Sequence, residues 1–169
     1  DRAYAPRLAG ASLSGTERTT LSGHTEYVTD VAFSADGELL ATVGFDLLLN
    51  IWRVEDSALL LTINTPAALT SVMFSPDGTL VLTASDDCTA RIWPVDGAGQ
   101  PKRFEGHDDV IYVAAFSPDG QRVLTGSWDK TCILYDARTG KAVKQLDPPH
   151  YGRIWSVALS PDGKTAAVA

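Results

Sequence analysis

Cysteine is scarce in this sequence: Cys88 and Cys132 are the two, and neither stands in a Cys-x-x-Cys pair. That excludes a disulfide scaffold. It fits a reducing, cytoplasmic setting, although one bridge between the two stays open. Long apolar runs are missing as well. Stretches such as residues 58–61 fall far short of the ~20 residues that span a bilayer as a helix. Residues 1–10 lack the apolar centre of a signal peptide. There is no initiator Met, so the chain reads as a processed product or a piece of something longer.

Positive charge is the minority, with 14 Lys and Arg against 21 Asp and Glu and a net charge of -7. Without a basic run, neither nucleic acid nor an anionic membrane surface is an expected partner. Catalytic signatures are absent too. There is no HExxH, GxSxG or glycine-rich phosphate loop. No enzyme activity, catalytic residue, cofactor or metal is therefore expected. Asn64-Thr65-Pro66 fails as a glycosylation acceptor because its third residue carries no hydroxyl. No segment keeps a helical period.

What remains is a globular composition, 44% hydrophobic and 21% charged over 169 residues. That suits one domain burying roughly two thirds of its unfolded surface. The dominant signal is repetition. Ser34-Ala35-Asp36-Gly37 returns as Ser75-Pro76-Asp77-Gly78, Ser117-Pro118-Asp119-Gly120 and Ser160-Pro161-Asp162-Gly163, at steps of 41, 42 and 43 residues. Pro presets φ, Asp bonds nearby backbone and Gly takes the left-handed position, so each copy reads as a turn. Short apolar runs flank each copy, which makes a hairpin. Asp46, Asp87 and Asp129 each follow a Thr by four residues (Thr42, Thr83, Thr125). Each precedes an aromatic by six (Trp52, Trp93, Tyr135). A further run closes each unit, at residues 59–63, 102–104 and 142–146. Four short strands per unit of ~42 residues predict an all-β fold of β-propeller blades, each a four-stranded antiparallel sheet.

His24 and His107, each after a Gly, and His150 precede the apolar residue before the turn by the same nine positions. With Gly-His, SPDG, Ser-x-Asp-x-Thr (Ser85 to Thr89, Ser127 to Thr131) and the closing aromatic, residues 16–169 resemble the WD-repeat β-propeller family. The resemblance implies three full units (22–63, 64–104, 105–146), the start of a fourth (147–169), and a lead-in or linker over 1–15. It implies an intra-blade hydrogen-bond relay: His24, Thr42, Asp46 and Trp52 in the first unit, and His107, Thr125, Asp129 and Tyr135 in the third. The second unit keeps Thr83, Asp87 and Trp93, but Asn64-Thr65 replaces Gly-His. In the fourth, Val168 stands at the Thr position. A His, an Asp and a hydroxyl invite a catalytic triad, but an enzyme rarely repeats its catalytic group, so the set reads as structural.

The family's contact positions lie three and five residues after the His and just before the turn Asp. Carried over, the partner-binding set on the top face is Tyr27, Thr29, Phe45, Thr70, Asp86, Tyr112, Trp128, Arg153 and Trp155, with Ala68 and Val110 beside them. The implied function is a noncatalytic protein-protein interaction scaffold for a peptide or protein loop. The alternative is a sensor or regulatory WD-repeat module of a larger multidomain signalling protein, a kinase or NTPase. One strand before the first unit (18–21), twelve in the full units and two in the fourth make an expected fifteen. A ring needs more blades, so the expected completion is a longer parent chain or another copy.

Overall fold

The computed structural model describes residues 8–9, 20–146 and 152–169. These hold sixteen strands, and no helix long and apolar enough to cross a membrane. Strands β1 (Leu8–Ala9) and β2 (Thr20–Leu21) pair antiparallel, Leu8 opposite Leu21. The first sheet follows as β3 (Val28–Phe33), β4 (Leu39–Gly44), β5 (Leu48–Arg53) and β6 (Leu59–Asn64). The second is β7 (Leu69–Phe74), β8 (Leu80–Ser85), β9 (Ala90–Pro94) and β10 (Lys102–Phe104). The third is β11 (Ile111–Phe116), β12 (Arg122–Ser127), β13 (Cys132–Asp136) and β14 (Ala142–Leu146). A pair, β15 (Val157–Leu159) and β16 (Ala166–Val168), ends the series. Every sheet is a simple antiparallel meander. The four-stranded blades are those of the propeller expected, and the ring is not closed.

The strand absent from the sequence expectation is β1, whose two residues are too few to show a period. The rest of the expected lead-in, and His150 of the fourth unit, lie outside the described residues.

The Ser-x-Asp-Gly turns form as their chemistry dictates. Ser34 Oγ donates to Asp36 Oδ1 at 2.5 Å and accepts from Leu39 N at 2.9 Å, while Gly37 stands at φ 75°. The turns at Ser75, Ser117 and Ser160 repeat this pattern. In each, the serine hydroxyl and then a backbone N–H hold the aspartate below the usual carboxylate range.

Blades pack face to face, so the second strand of each is buried on both faces (β4, β8, β12), while β6 and β14 face solvent. Three apolar layers result. Leu49, Ile51, Leu69 and Val81 fill the first, between blades one and two. Leu82, Phe104, Ile111, Val123 and Tyr135 fill the second. Leu124, Cys132, Ile154 and Val157 fill the third. Side chains of this size stabilise by about 1.5–3 kcal/mol each when fully buried. The first strands β3, β7, β11 and β15 lie side by side along the inner edge, which brings their N-terminal ends onto one face.

Candidate functional site

Two sets of side chains need placing: the repeated polar residues inside the blades and those at the N-terminal ends of the inner strands. The first blade's polar set is a continuous chain. The Trp52 indole N–H donates to Thr42 Oγ1 at 2.9 Å, and Thr42 Oγ1 lies 2.7 Å from His24 Nε2. His24 Nδ1 stands 2.9 Å from Asp46 Oδ2, which also accepts from Thr25 N at 2.8 Å. A carboxylate has no proton to give, so Nδ1 carries the hydrogen. The threonine, already accepting from the indole, then donates to Nε2. Both partners of the His24–Asp46 pair are almost wholly enclosed, which is tolerable because every polar atom on that path has a partner.

The third blade keeps part of the chain. His107 Nδ1 lies 2.7 Å from Asp129 Oδ2, and Nε2 lies 2.7 Å from Thr125 Oγ1. Tyr135 turns its hydroxyl to the Glu105 carbonyl oxygen at 3.1 Å. Burial pushes its phenol up to about 12. Burial pushes Asp129 up too, but Thr131, His107 and backbone N–H groups outweigh it and leave the carboxyl below its usual range.

The second blade departs furthest. Trp93 still donates to Thr83 Oγ1 at 2.9 Å. With no His present, Asp87 is held by Arg91, whose guanidinium donates to Oδ2 at 2.6 Å and Oδ1 at 3.3 Å. Arg91 is buried. Burial alone would push Asp87 up, but Arg91 and Thr89 hold it below the usual range. Sequence reasoning missed Arg91. A signal existed: its slot, four residues after the turn Asp, holds Asn50 and Ile133 in the other blades. An Arg in a slot on the third strand of a blade needs a buried acid.

The second set sits at the strand ends. Phe45 N donates to the Tyr27 carbonyl, Asp86 N to that of Ala68 and Trp128 N to that of Val110, so these slots meet in pairs on one face. The inner strands β3, β7 and β11 each carry a β-bulge at the same place, at Thr29, Thr70 and Tyr112. A bulge leaves its residue unpaired and re-aims the side chain. The expectation that Thr29 and Thr70 contact a partner meets a different geometry. Thr29 Oγ1 donates to the Leu69 carbonyl at 2.7 Å and Thr70 Oγ1 to that of Ile111 at 2.6 Å. Both hydroxyls thus tie one blade to the next.

At the third bulge an aromatic replaces the threonine, and the junction changes character. Tyr112 stacks on Trp128 with centroids 5.9 Å apart and planes 17° from parallel. It meets Trp155 edge-on at 4.8 Å, and Trp128 and Trp155 lie 5.8 Å apart. The Arg153 guanidinium carbon sits 4.2 Å from the Trp128 ring centre, a cation–π contact. Gly126 makes room for this junction. A Cβ there would lie 2.4 Å from Ile154 Cγ2 and 2.9 Å from Val157 Cγ1, and the matching slots hold Val43 and Ala84. The missing side chain seats Ile154, and Ile154 carries its neighbours Arg153 and Trp155 to Trp128.

Four of the nine residues carried over by position, Tyr112, Trp128, Arg153 and Trp155, therefore converge. Tyr27 and Phe45 pair separately on the first blade, both well exposed. Asp86 is exposed on the second. Trp155 is 52% exposed, and the Trp128 indole N–H is enclosed with no acceptor. Cys132 is buried, with its thiol pushed up to about 11 by that burial and then by Asp129, so it is an unreactive packing residue. Among the described residues no group of His, Cys, Asp and Glu is placed to hold a metal. A chain of Trp, Thr, His and Asp sealed inside a blade has no access to a substrate; rings at the surface do. The family model for the WD domain, G-beta repeat, matches residues 15–53, 58–94 and 99–136, more than half of the chain. No curated protein matches it.

Proposed function

The chain belongs to the WD-repeat family, whose repeats generally mediate protein-protein interaction, and we propose that it is a noncatalytic scaffold holding a peptide or protein loop on the face that carries Tyr112, Trp128 and Trp155. One observation carries this reading. The slot before the turn Asp holds Phe45, Asp86 and Trp128 in three blades that fold alike, so blade packing does not demand an indole there. Trp, Tyr and Arg are the side chains that anchor interfaces, because each removes a large area from water and keeps a polar handle. A cytoplasmic setting belongs to the same proposal, supported by Cys88 and Cys132 as free thiols. A regulatory module within a signalling protein would use the same face, with its partner on the same chain.

The test is enrichment of a displayed peptide library on the purified chain, compared with a Trp128→Ala, Tyr112→Ala double variant. The wild type should enrich a consistent motif. The variant should lose that binding by about a hundredfold, with its far-UV circular dichroism unchanged. Undiminished binding by the folded variant would move the site elsewhere.

A further inference from the structure

Which chemistry a partner presents is set by the charges beside the aromatic cluster. Four carboxylates, Asp109, Asp87, Asp129 and Asp86, surround Cys88 closely enough to hold its thiol up, after the effect of burial. Two of them are engaged, Asp87 by Arg91 and Asp129 by His107. Asp86 and Asp109 enter no ion pair among the described residues, nor does exposed Asp108 beside them. The Asp109 end of this acidic group is laced to the aromatic cluster, and Asp86 holds on the second blade the slot that Trp128 holds on the third. Ser127 Oγ donates to the Asp109 carbonyl at 2.9 Å, and Trp128 N donates to the Val110 carbonyl at 2.9 Å. The Asp108–Asp109 loop is thereby fixed against the strand end that presents Trp128.

The cations of this region are already placed. Arg91 is buried on Asp87, and Arg153 lies over the Trp128 ring. Arg153 stays exposed on that ring, and Lys130, beside Asp129, is exposed next to the cluster as well. An acidic or phosphorylated segment would meet Lys130 and an already stacked Arg153, with Asp86, Asp108 and Asp109 opposing it. A basic segment meets carboxylates that lack a cation, next to rings whose faces attract positive charge, as Arg153 demonstrates.

We propose that this face recognises a basic peptide segment, a Lys or Arg side chain reaching Asp86 and Asp109 while an adjacent apolar residue packs on Tyr112 and Trp155. The proposal rests on the interaction reading above and names the partner's charge class. Exposed charge pairs contribute little affinity each, so the rings anchor the segment and the carboxylates choose its sign.

Two labelled peptide pools test it, with the same apolar positions and with either Lys and Arg or Glu and Asp at the charged positions. The readouts are fluorescence polarisation and the indole N–H signals of Trp128 and Trp155 in NMR spectra of the whole chain. The basic pool should bind, shift both indoles, and weaken as salt rises. An Asp86→Asn, Asp109→Asn variant should lose about tenfold in affinity. Asparagine keeps the Oδ1 that accepts from Val110 N at 2.8 Å, so the loop is retained. If the acidic pool shifts the same indoles instead, the charge class is overturned and the interaction reading stands. If neither pool shifts them, both fall. Basic-pool binding unchanged in the double Asn variant also overturns the proposal.

Discussion

The first and second blades place the same aspartate in the same turn and hold it by opposite means. Asp46 ends a chain of four side chains that runs through His24 and Thr42 to Trp52. Asp87 is held by the Arg91 guanidinium and the Thr89 hydroxyl, and the chain beyond it to Thr83 and Trp93 is cut. Thr65, standing where the His would be, turns its hydroxyl to the carbonyls of Leu47 and Ala67. What the blade requires is a satisfied acid at the turn, because that acid organises the backbone N–H groups around it. Histidine is one way to satisfy it. The comparison separates two physical cases: in the first blade a network of hydrogen bonds does the holding, and in the second an ion pair does.

Breaking each tests that difference. Arg91→Met should have the largest effect, about 2–3 kcal/mol in urea unfolding. It leaves Asp87 with a charge and no cation, and the loss is reduced because Asp87 keeps 25% of its side-chain exposure. Asp46→Ala should cost less, about 1–2 kcal/mol, since it strands a histidine N–H and a backbone N–H but no charge. If the order is reversed, the network outweighs the ion pair.

Acid sharpens the same point. Asp87 is depressed in the folded protein below its ordinary 3.8. The stability it adds is therefore full above that value and lost as pH falls through the lower folded value. The gap between wild type and Arg91→Met should stay open at neutral pH and close only as pH falls through the lowered folded value of Asp87, below 3.8, where its carboxyl becomes protonated in both. A gap that is constant with pH would mean that Arg91 acts through packing of its stem alone.

Much of this was legible in the residues. Ser-x-Asp-Gly turns at steps of 41 to 43 residues marked the hairpins, and the aromatic six after each Asp marked the third strands. These features are local: turn chemistry and strand period are written within a few positions. The bulges at Thr29, Thr70 and Tyr112 were not legible, because a bulge is a property of two paired strands. For that reason the spacing of this slot is the same in three blades, yet Thr29 and Thr70 yield inter-blade hydrogen bonds and Tyr112 an aromatic junction. Gly126 is similar. Its role appears only when Ile154, from the next unit, is seated against it. Tyr112, Trp128 and Trp155 could be singled out by the resemblance, position by position; that they touch one another depends on how the third and fourth units pack.

The smallest effect lies in the turn that both blades share. The residue after the aspartate takes a left-handed backbone in all three: Leu47 at φ 65°, Cys88 at 64° and Lys130 at 76°. Such a conformation costs an ordinary L-residue roughly 1–2 kcal/mol, and asparagine tolerates it because its short amide bonds nearby backbone. The first blade bears this strain with least support. Thr89 and Thr131 return a hydroxyl to Asp87 and Asp129 at 2.6 and 2.7 Å, whereas the matching residue is Leu48, which offers only its backbone N–H to Asp46 at 3.3 Å. Leu47 is itself 40% exposed, so replacing it forfeits little packing. Leu47→Asn should raise stability by about 0.5–1 kcal/mol in thermal unfolding. Cys88→Asn, in a turn already tied by threonine and arginine, should gain no more than that. Equal gains in both blades would locate the strain in the turn alone; a larger gain at Leu47 would show that the ion pair of the second blade also holds its turn.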